Sequence, residues 1–154
     1  MKLNYIVIPL ITFLTAFSGS LLTSSGMKWY KTIKLPSWTP AGSVIGAVWT
    51  ILFILAAICA LIFWNKFLHD GRWQLIVAIF ILNAILNVFW SWLFFSQHWL
   101  GAATFESAVL GLSVLALVIL IWPGSALAAS LLIPYAAWVG FATFLTYTVW
   151  TLNK

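Results

Sequence analysis

The sequence is poor in charge. Of 154 residues, seven are Lys or Arg and two are Asp or Glu, 6% in all, against about a quarter in a typical soluble domain. With a mean hydropathy of +1.11, such a chain cannot cover a folded surface with groups that water solvates, and lipid is left as its solvent. It has one cysteine, Cys59, so no disulfide forms within the chain and the redox compartment stays unread. The carboxylates and imidazoles are Asp70, Glu106, His69 and His98. They lie on separate segments, too scattered for a conventional acid–base site or for convergent metal ligands. His69, Asp70 and His98 read as solvated loop residues. No Gly-rich phosphate loop, nucleophile elbow or HExxH pattern occurs. The net charge of +5 is spread too thinly for nucleic acid, and it suits anionic lipid or an anionic ligand. Alternation over about ten residues, the mark of a membrane barrel, is missing as well.

Long apolar runs are what the sequence has instead. They predict an all-α membrane protein: a single domain over 1–154 built as a five-transmembrane-helix bundle, with spans at about 5–23, 43–64, 73–95, 101–122 and 126–150. Each is long enough to cross a hydrocarbon core of about 30 Å. Short connections make sequential helices antiparallel neighbours. The long exception is the first loop, inside "KWYKTIKLPSWTPAGSVIGAVW" at 28–49, which holds Lys28, Lys31 and Lys34. The first span, with Lys2 before it and Ser18-Gly19-Ser20 near its end, resembles a signal peptide. It is longer than a typical signal core, however, and shows a small-residue face of Thr12, Ala16, Gly19 and Thr23 suited to helix packing. Basic residues fall on both sides of the membrane: Lys2, Lys66 and Arg72 against Lys28, Lys31, Lys34 and Lys154. That balance does not set an orientation.

Several helical faces carry chemistry. Asn83, Asn87 and Ser91 recur at i+4 in the third span, flanked by Trp90 and Phe94. Either they join helices through hydrogen bonds or they line a polar cavity. Tyr135, Trp138, Ala142 and Thr146 share a face of the fifth span, and a kink at Pro134 would open space beside it. Trp49 and Phe53 face together on the second span, which begins with Gly42-x-x-x-Gly46, a pattern that permits close helix approach. Ala103, Ser107 and Gly111 make a small face on the fourth, available within the bundle or between two copies. Glu106, about one and a half turns into the fourth span, is either functional or a structural group that is protonated, snorkels, or accepts hydrogen bonds from a neighbouring helix. Of the eleven tryptophans, Trp64, Trp73, Trp99, Trp122 and Trp150 fall near span ends as interface anchors. Trp49, Trp90 and Trp138 lie inside spans. Indoles there suit a pocket for a large flat apolar ligand.

Three ordered segments, "WYKTIKLPSWTPAGSVIGAVWTILF", "LNVFWSWLFF" and "IPYAAWVGFATFLTYTVW", resemble the translocator protein family, also called tryptophan-rich sensory proteins or peripheral-type benzodiazepine receptors. The resemblance implies a five-helix bundle, commonly a homodimer, whose long first loop caps a ligand pocket. It implies porphyrins, notably protoporphyrin IX, and isoquinoline carboxamides or benzodiazepines as ligands, with no obligatory cofactor and no metal. Carried residue by residue, the pocket includes Tyr30, Pro36 and Trp38 of the loop, with Trp49, Asn87, Trp90, Trp138 and Ala142. Phe53 and Tyr135 join it from the face patterns. Some bacterial members are reported to promote light-dependent porphyrin breakdown, and the resemblance implicates Trp49 and Trp138. The sterol consensus of animal members fails here: Leu145 and Tyr147 are present, but Thr151 stands at the basic position and Lys154 lies one residue too far. The short tail after Trp150 and the missing targeting segment point to a bacterial plasma membrane.

Three functions compete on this basis. One is a receptor that senses or sequesters porphyrin, or degrades it by photo-oxidation, stacking the macrocycle on indoles while Lys28, Lys31 or Lys34 meets its propionates. Another is a transporter of porphyrin or other amphiphiles, although five spans cannot form the equal inverted halves common in transporters. The third is a dimeric membrane scaffold.

Overall fold

The computed structural model describes residues 3–67 and 71–154. Lys2, His69 and Asp70 therefore lie outside the described residues. The elements are α1 (Asn4–Tyr30), α2 (Gly42–Phe67), α3 (Trp73–Ser91) running into a π-helical turn (Trp92–Ser96), α4 (Leu100–Ile121), a short α5 (Ala126–Ser130) and α6 (Ile133–Leu152). Taking α3 with its π turn and α5 with α6, five helical segments are long and apolar enough to span a membrane. The fold is an all-α five-span bundle. Around it, α1 packs between α2 and α3, α4 packs between α3 and α6, and α5 closes the ring against α2.

α1 reaches Tyr30, seven residues past the expected end at Thr23. Ser24 and Ser25 satisfy their hydroxyls on the carbonyls of Leu21 and Leu22, so they do not compete with the helix. Gly26 lies directly against Phe95, where an added Cβ would stand 2.7 Å from the Phe95 Cβ. The extension puts Lys28 and Tyr30 on the last turn of α1, so Tyr30 is not a loop residue. The loop itself shrinks to 31–41.

The fifth span is broken, but not at Pro134. The interruption falls at Leu131–Leu132, and Pro134 sits in the first turn of α6, where its missing N–H has no intrahelical partner to lose. Ser125 caps α5 by accepting from the Ala128 N–H at 3.2 Å. The α3–α4 connection turns within three residues. The π turn feeds it through Gln97 N–H to Trp92 O at 3.0 Å, and His98 takes φ 58°, a left-handed conformation uncommon for a residue with a side chain.

Two apolar clusters fill the interior. One contains Leu52, Cys59, Ile76, Leu110, Val114, Leu117 and Val139, and the other Leu93, Phe94, Phe95, Leu100, Ala103 and Val149. Between them along α3, α4 and α6 lies a layer of buried polar residues: Asn87, Ser91, Glu106, Ser107 and Thr146.

Candidate functional site

The polar stripe of α3 meets its partners inside the bundle. Asn83 donates through Nδ2 to Ser113 Oγ at 2.9 Å, joining α3 to α4. The Tyr135 hydroxyl of α6 donates to Asn83 Oδ1 at 2.9 Å and accepts from Asn87 Nδ2 at 2.6 Å. Ser113 in turn donates to Leu110 O at 2.7 Å. This network ties three helices together, so hydrogen-bonded joining accounts for the stripe at Asn83 and Asn87. Where lipid surrounds the protein, unpaired groups at this depth would be costly, and the side chains pair with one another. Tyr135, 1% exposed, also takes the edge of Trp49, with ring centroids 6.0 Å apart and planes at 80°. Trp49 packs on Phe53 at 5.6 Å. Trp49, Phe53, Tyr135 and Asn87 therefore form one continuous wall.

Trp138 belongs to a second wall. It packs on Phe141 at 5.2 Å and lines a groove of about 440 Å³ with Val48, Ile51, Leu52, Pro134, Ala137 and Phe141. This groove lies between α2 and α6 beside Pro134, and exposed Ile51 and Ala137 on its rim give it a face towards lipid. Its lining is apolar, yet the Trp138 Nε1 is buried without a hydrogen-bond partner. The loop reaches this wall through Trp38, which stacks on Phe144 at 5.4 Å and 11° and meets the edge of Phe141 at 5.9 Å. An aromatic path thus runs from Trp38 through Phe141 to Trp138.

Tyr30 and Trp90 stand in a third group below the loop. Trp90 stacks on Phe94 at 5.0 Å, and Tyr30 contacts Phe94 and Phe95 at 6.1 and 5.8 Å. Pro36 is half-buried and accepts at its carbonyl from the Thr39 N–H and hydroxyl. Ala142 is half-buried on α6, and its carbonyl accepts from Thr146 Oγ1 at 2.8 Å.

Other residues matter that sequence reasoning passed over. Asn153 clamps the loop: its Oδ1 accepts from the Lys34 N–H and its Nδ2 donates to Lys34 O, both at 2.9 Å. Phe141 and Phe144 lie three and six residues beyond Trp138, and that helical spacing was the available signal. Trp29 stacks on His98 at 3.9 Å and 17°, pinning the end of α1 to the α3–α4 turn. Glu106 neither snorkels nor pairs. It is 5% exposed, and both carboxyl oxygens are buried without a hydrogen-bond partner among the described residues. The small face of α4 is used within the chain: Ser107 bonds Thr143 at 2.7 Å, and Gly111 faces Val139. A Cβ added at Gly42 or Gly46 would meet nothing within 4 Å among the described residues, so close approach of another helix at that pair plays no part inside the bundle.

The TspO/MBR family model matches residues 6–151. The chain is 34% identical over 153 residues to the tryptophan-rich protein TspO of Bacillus cereus, covering 99% of each chain. It is 33% identical to the protein of the same name from Archaeoglobus fulgidus, covering 89% of this chain and 88% of that one. With the human translocator protein it shares 32% identity, over 91% of this chain and 84% of that one.

Proposed function

This chain belongs to the TspO/MBR family, and on that premise we propose that it is a membrane receptor for planar aromatic ligands of the porphyrin class, protoporphyrin IX foremost. Its five apolar spans make it an integral membrane protein, of the plasma membrane, in keeping with its bacterial relatives. The observation that carries the reading is the placement of indoles at membrane depth. Trp49 stands on the wall with buried Tyr135, and Trp138 lines a groove of about 440 Å³ reached from the loop through Trp38. Aromatic faces in such a groove suit stacking against a macrocycle. Lys28, Lys31 and Lys34 are all exposed on the loop side, within reach of propionates that stay at the aqueous edge. Photo-oxidation of the bound pigment is the chemistry proposed for such a complex: dioxygen adds to the macrocycle and both its oxygen atoms stay in the ring-opened product, while Trp49 or Trp138 lends an electron to the excited pigment and recovers it as the carbon–oxygen bonds form. It needs no acid–base pair.

Titrating protoporphyrin IX into the full chain in lipid nanodiscs, followed by tryptophan quenching, tests the reading. Saturable quenching is expected. Changing Trp49→Phe and Trp138→Phe together is expected to weaken affinity about tenfold, the order of two lost aromatic contacts, while the remaining tryptophans still report binding. Illumination in air is then expected to give a defined product with the unaltered chain and simple bleaching with the double variant. Equal affinity in the two proteins would remove these indoles from the site.

A further inference from the structure

The groove beside Trp138 has a direction and a depth as well as a lining. On α6 it is bordered by Pro134, Ala137, Trp138 and Phe141, and on α2 by Val48, Ile51 and Leu52. Both sets follow the i, i+3, i+4 spacing of a single helical stripe. The groove therefore runs lengthwise between the two helices, for about 10 Å from Pro134 to Phe141 at about 1.5 Å per residue. α2 leaves the loop and α6 returns to it, where Asn153 bonds Lys34. Val48 and Phe141 thus mark the loopward end, and Leu52 and Pro134 the deep end. Trp38 of the loop meets the edge of Phe141 at 5.9 Å. Val48 and Leu52 stand about 9 and about 15 Å below the start of α2, so the groove lies in the loop-side half of a hydrocarbon core about 30 Å thick. Ile51, 57% exposed, and exposed Ala137 leave its outer side open to the bilayer.

We propose that this groove holds one acyl chain of an anionic phospholipid from the loop-side leaflet, with the phosphate at the loop. Form selects the chain. An apolar groove parallel to the helices and open to the bilayer takes a linear hydrocarbon in the direction that lipid tails already lie. Pro134 and Ala137 carry little side chain to fill it, and empty apolar space forfeits dispersion contacts. A tail that enters gains contacts with α2 and α6 together, where a tail on a convex helix face touches one. Charge selects the headgroup. The segment 31–41 carries Lys31 and Lys34, both exposed, and no acidic residue. Asn153 holds the Lys34 backbone through two bonds of 2.9 Å, and Trp38 stacks on Phe144 at 5.4 Å. The cation-bearing loop is thus tied down at the loopward end of the groove. Lysines so placed attract an anionic headgroup, whereas a zwitterionic one brings its own ammonium and gains little. This site does not rest on the porphyrin reading, and a pigment that stacks on Trp138 displaces the tail.

The test reads Trp138 itself. The full chain is placed, without porphyrin, in phosphatidylcholine vesicles that carry a minor, equal fraction of either phosphatidylglycerol or phosphatidylcholine brominated in mid-chain. Bromine quenches indole fluorescence only at close range, and the Trp138 signal is the difference between the unaltered chain and Trp138→Phe. The brominated anionic lipid is expected to quench Trp138 with about fivefold higher apparent affinity than the zwitterionic one, the order of one lysine's attraction. Changing Lys31→Gln and Lys34→Gln together is expected to bring that ratio to about one, and both side chains are exposed, so the bundle is left alone. In Ala137→Phe the added ring fills the groove while the lysines stay, and the ratio is again expected to be about one. If Ala137→Phe does not fold, Trp99 gives the same control: it is 57% exposed, lies outside the groove, and is isolated through Trp99→Phe. An equal anionic preference at Trp99 and Trp138, or a preference at Trp138 that survives Ala137→Phe, means general enrichment of anionic lipid around the loop and overturns the proposal. A ratio of one in the unaltered chain, or one that persists without both lysines, overturns it as well.

Discussion

Tyr135 brings one hydroxyl to two asparagines, donating to Asn83 and accepting from Asn87. Changing Tyr135→Phe keeps the ring against Trp49 and removes both bonds, leaving Asn87 Nδ2 with Asn83 O at 2.9 Å and Asn83 Oδ1 at 3.3 Å as its remaining acceptors. The expected cost is about 1–2 kcal/mol, read as a lower midpoint in denaturant unfolding in micelles. An unchanged midpoint would mean that the existing bonds from Asn87 to Asn83 satisfy the two amides without the hydroxyl. The i+4 spacing of Asn83, Asn87 and Ser91 made the stripe legible in the sequence, and the Pro-Tyr-x-x-Trp pattern drew attention to Tyr135. Their mutual contact was not legible, because it depends on how α6 is rotated against α3. Glu106 teaches the same lesson from the other side. Its position inside a span was plain from hydropathy, but only packing decides whether a neighbouring helix offers it a partner.

At the scale of elements, close approach fixes the end of α1. An added Cβ on Gly26 would stand 2.7 Å from the Phe95 Cβ and press on the Phe95 carbonyl, and backbone cannot swing away as a side chain can. Gly26→Ala is therefore expected to destabilise the bundle by about 1–3 kcal/mol. Gly46→Ala, with no neighbour within 4 Å, is expected to be neutral or to stabilise α2 by about 0.5–1 kcal/mol through helix propensity. Thermal unfolding of the two variants side by side measures the difference, and equal midpoints would refute the contact. Hydropathy falls in Ser24 and Ser25, so the sequence reads as a span ending at Thr23. The serines instead bond back to their own helix, and α1 continues. Pro134 misled in a similar way: a proline within an apolar run reads as a kink, yet here it helps to start a helix.

On the whole-molecule scale, the loop is held at two points: Lys34 by Asn153, and Trp38 by Phe144. Asn153→Ala removes both hydrogen bonds at the first point and leaves the aromatic one. Loop opening is expected to become several-fold to about tenfold more frequent, seen as faster tryptic cleavage after Lys31 and Lys34 while the thermal midpoint stays near its original value. Cleavage at an unchanged rate would show that Trp38 alone holds the loop. By itself the sequence determined the solvent, the number of spans and which residues share a helical face. Those properties follow from composition and from a periodicity that each helix carries alone. Tertiary structure decided that the loop spans only 31–41, that Asn87 donates to the hydroxyl of Tyr135, that Trp138 borders a groove between α2 and α6, and that the carboxyl group of Glu106 is buried with no partner among the described residues. These arise from the rotation and depth of one helix against the next, set by the sum of many side-chain contacts, and no single stretch of chain encodes them.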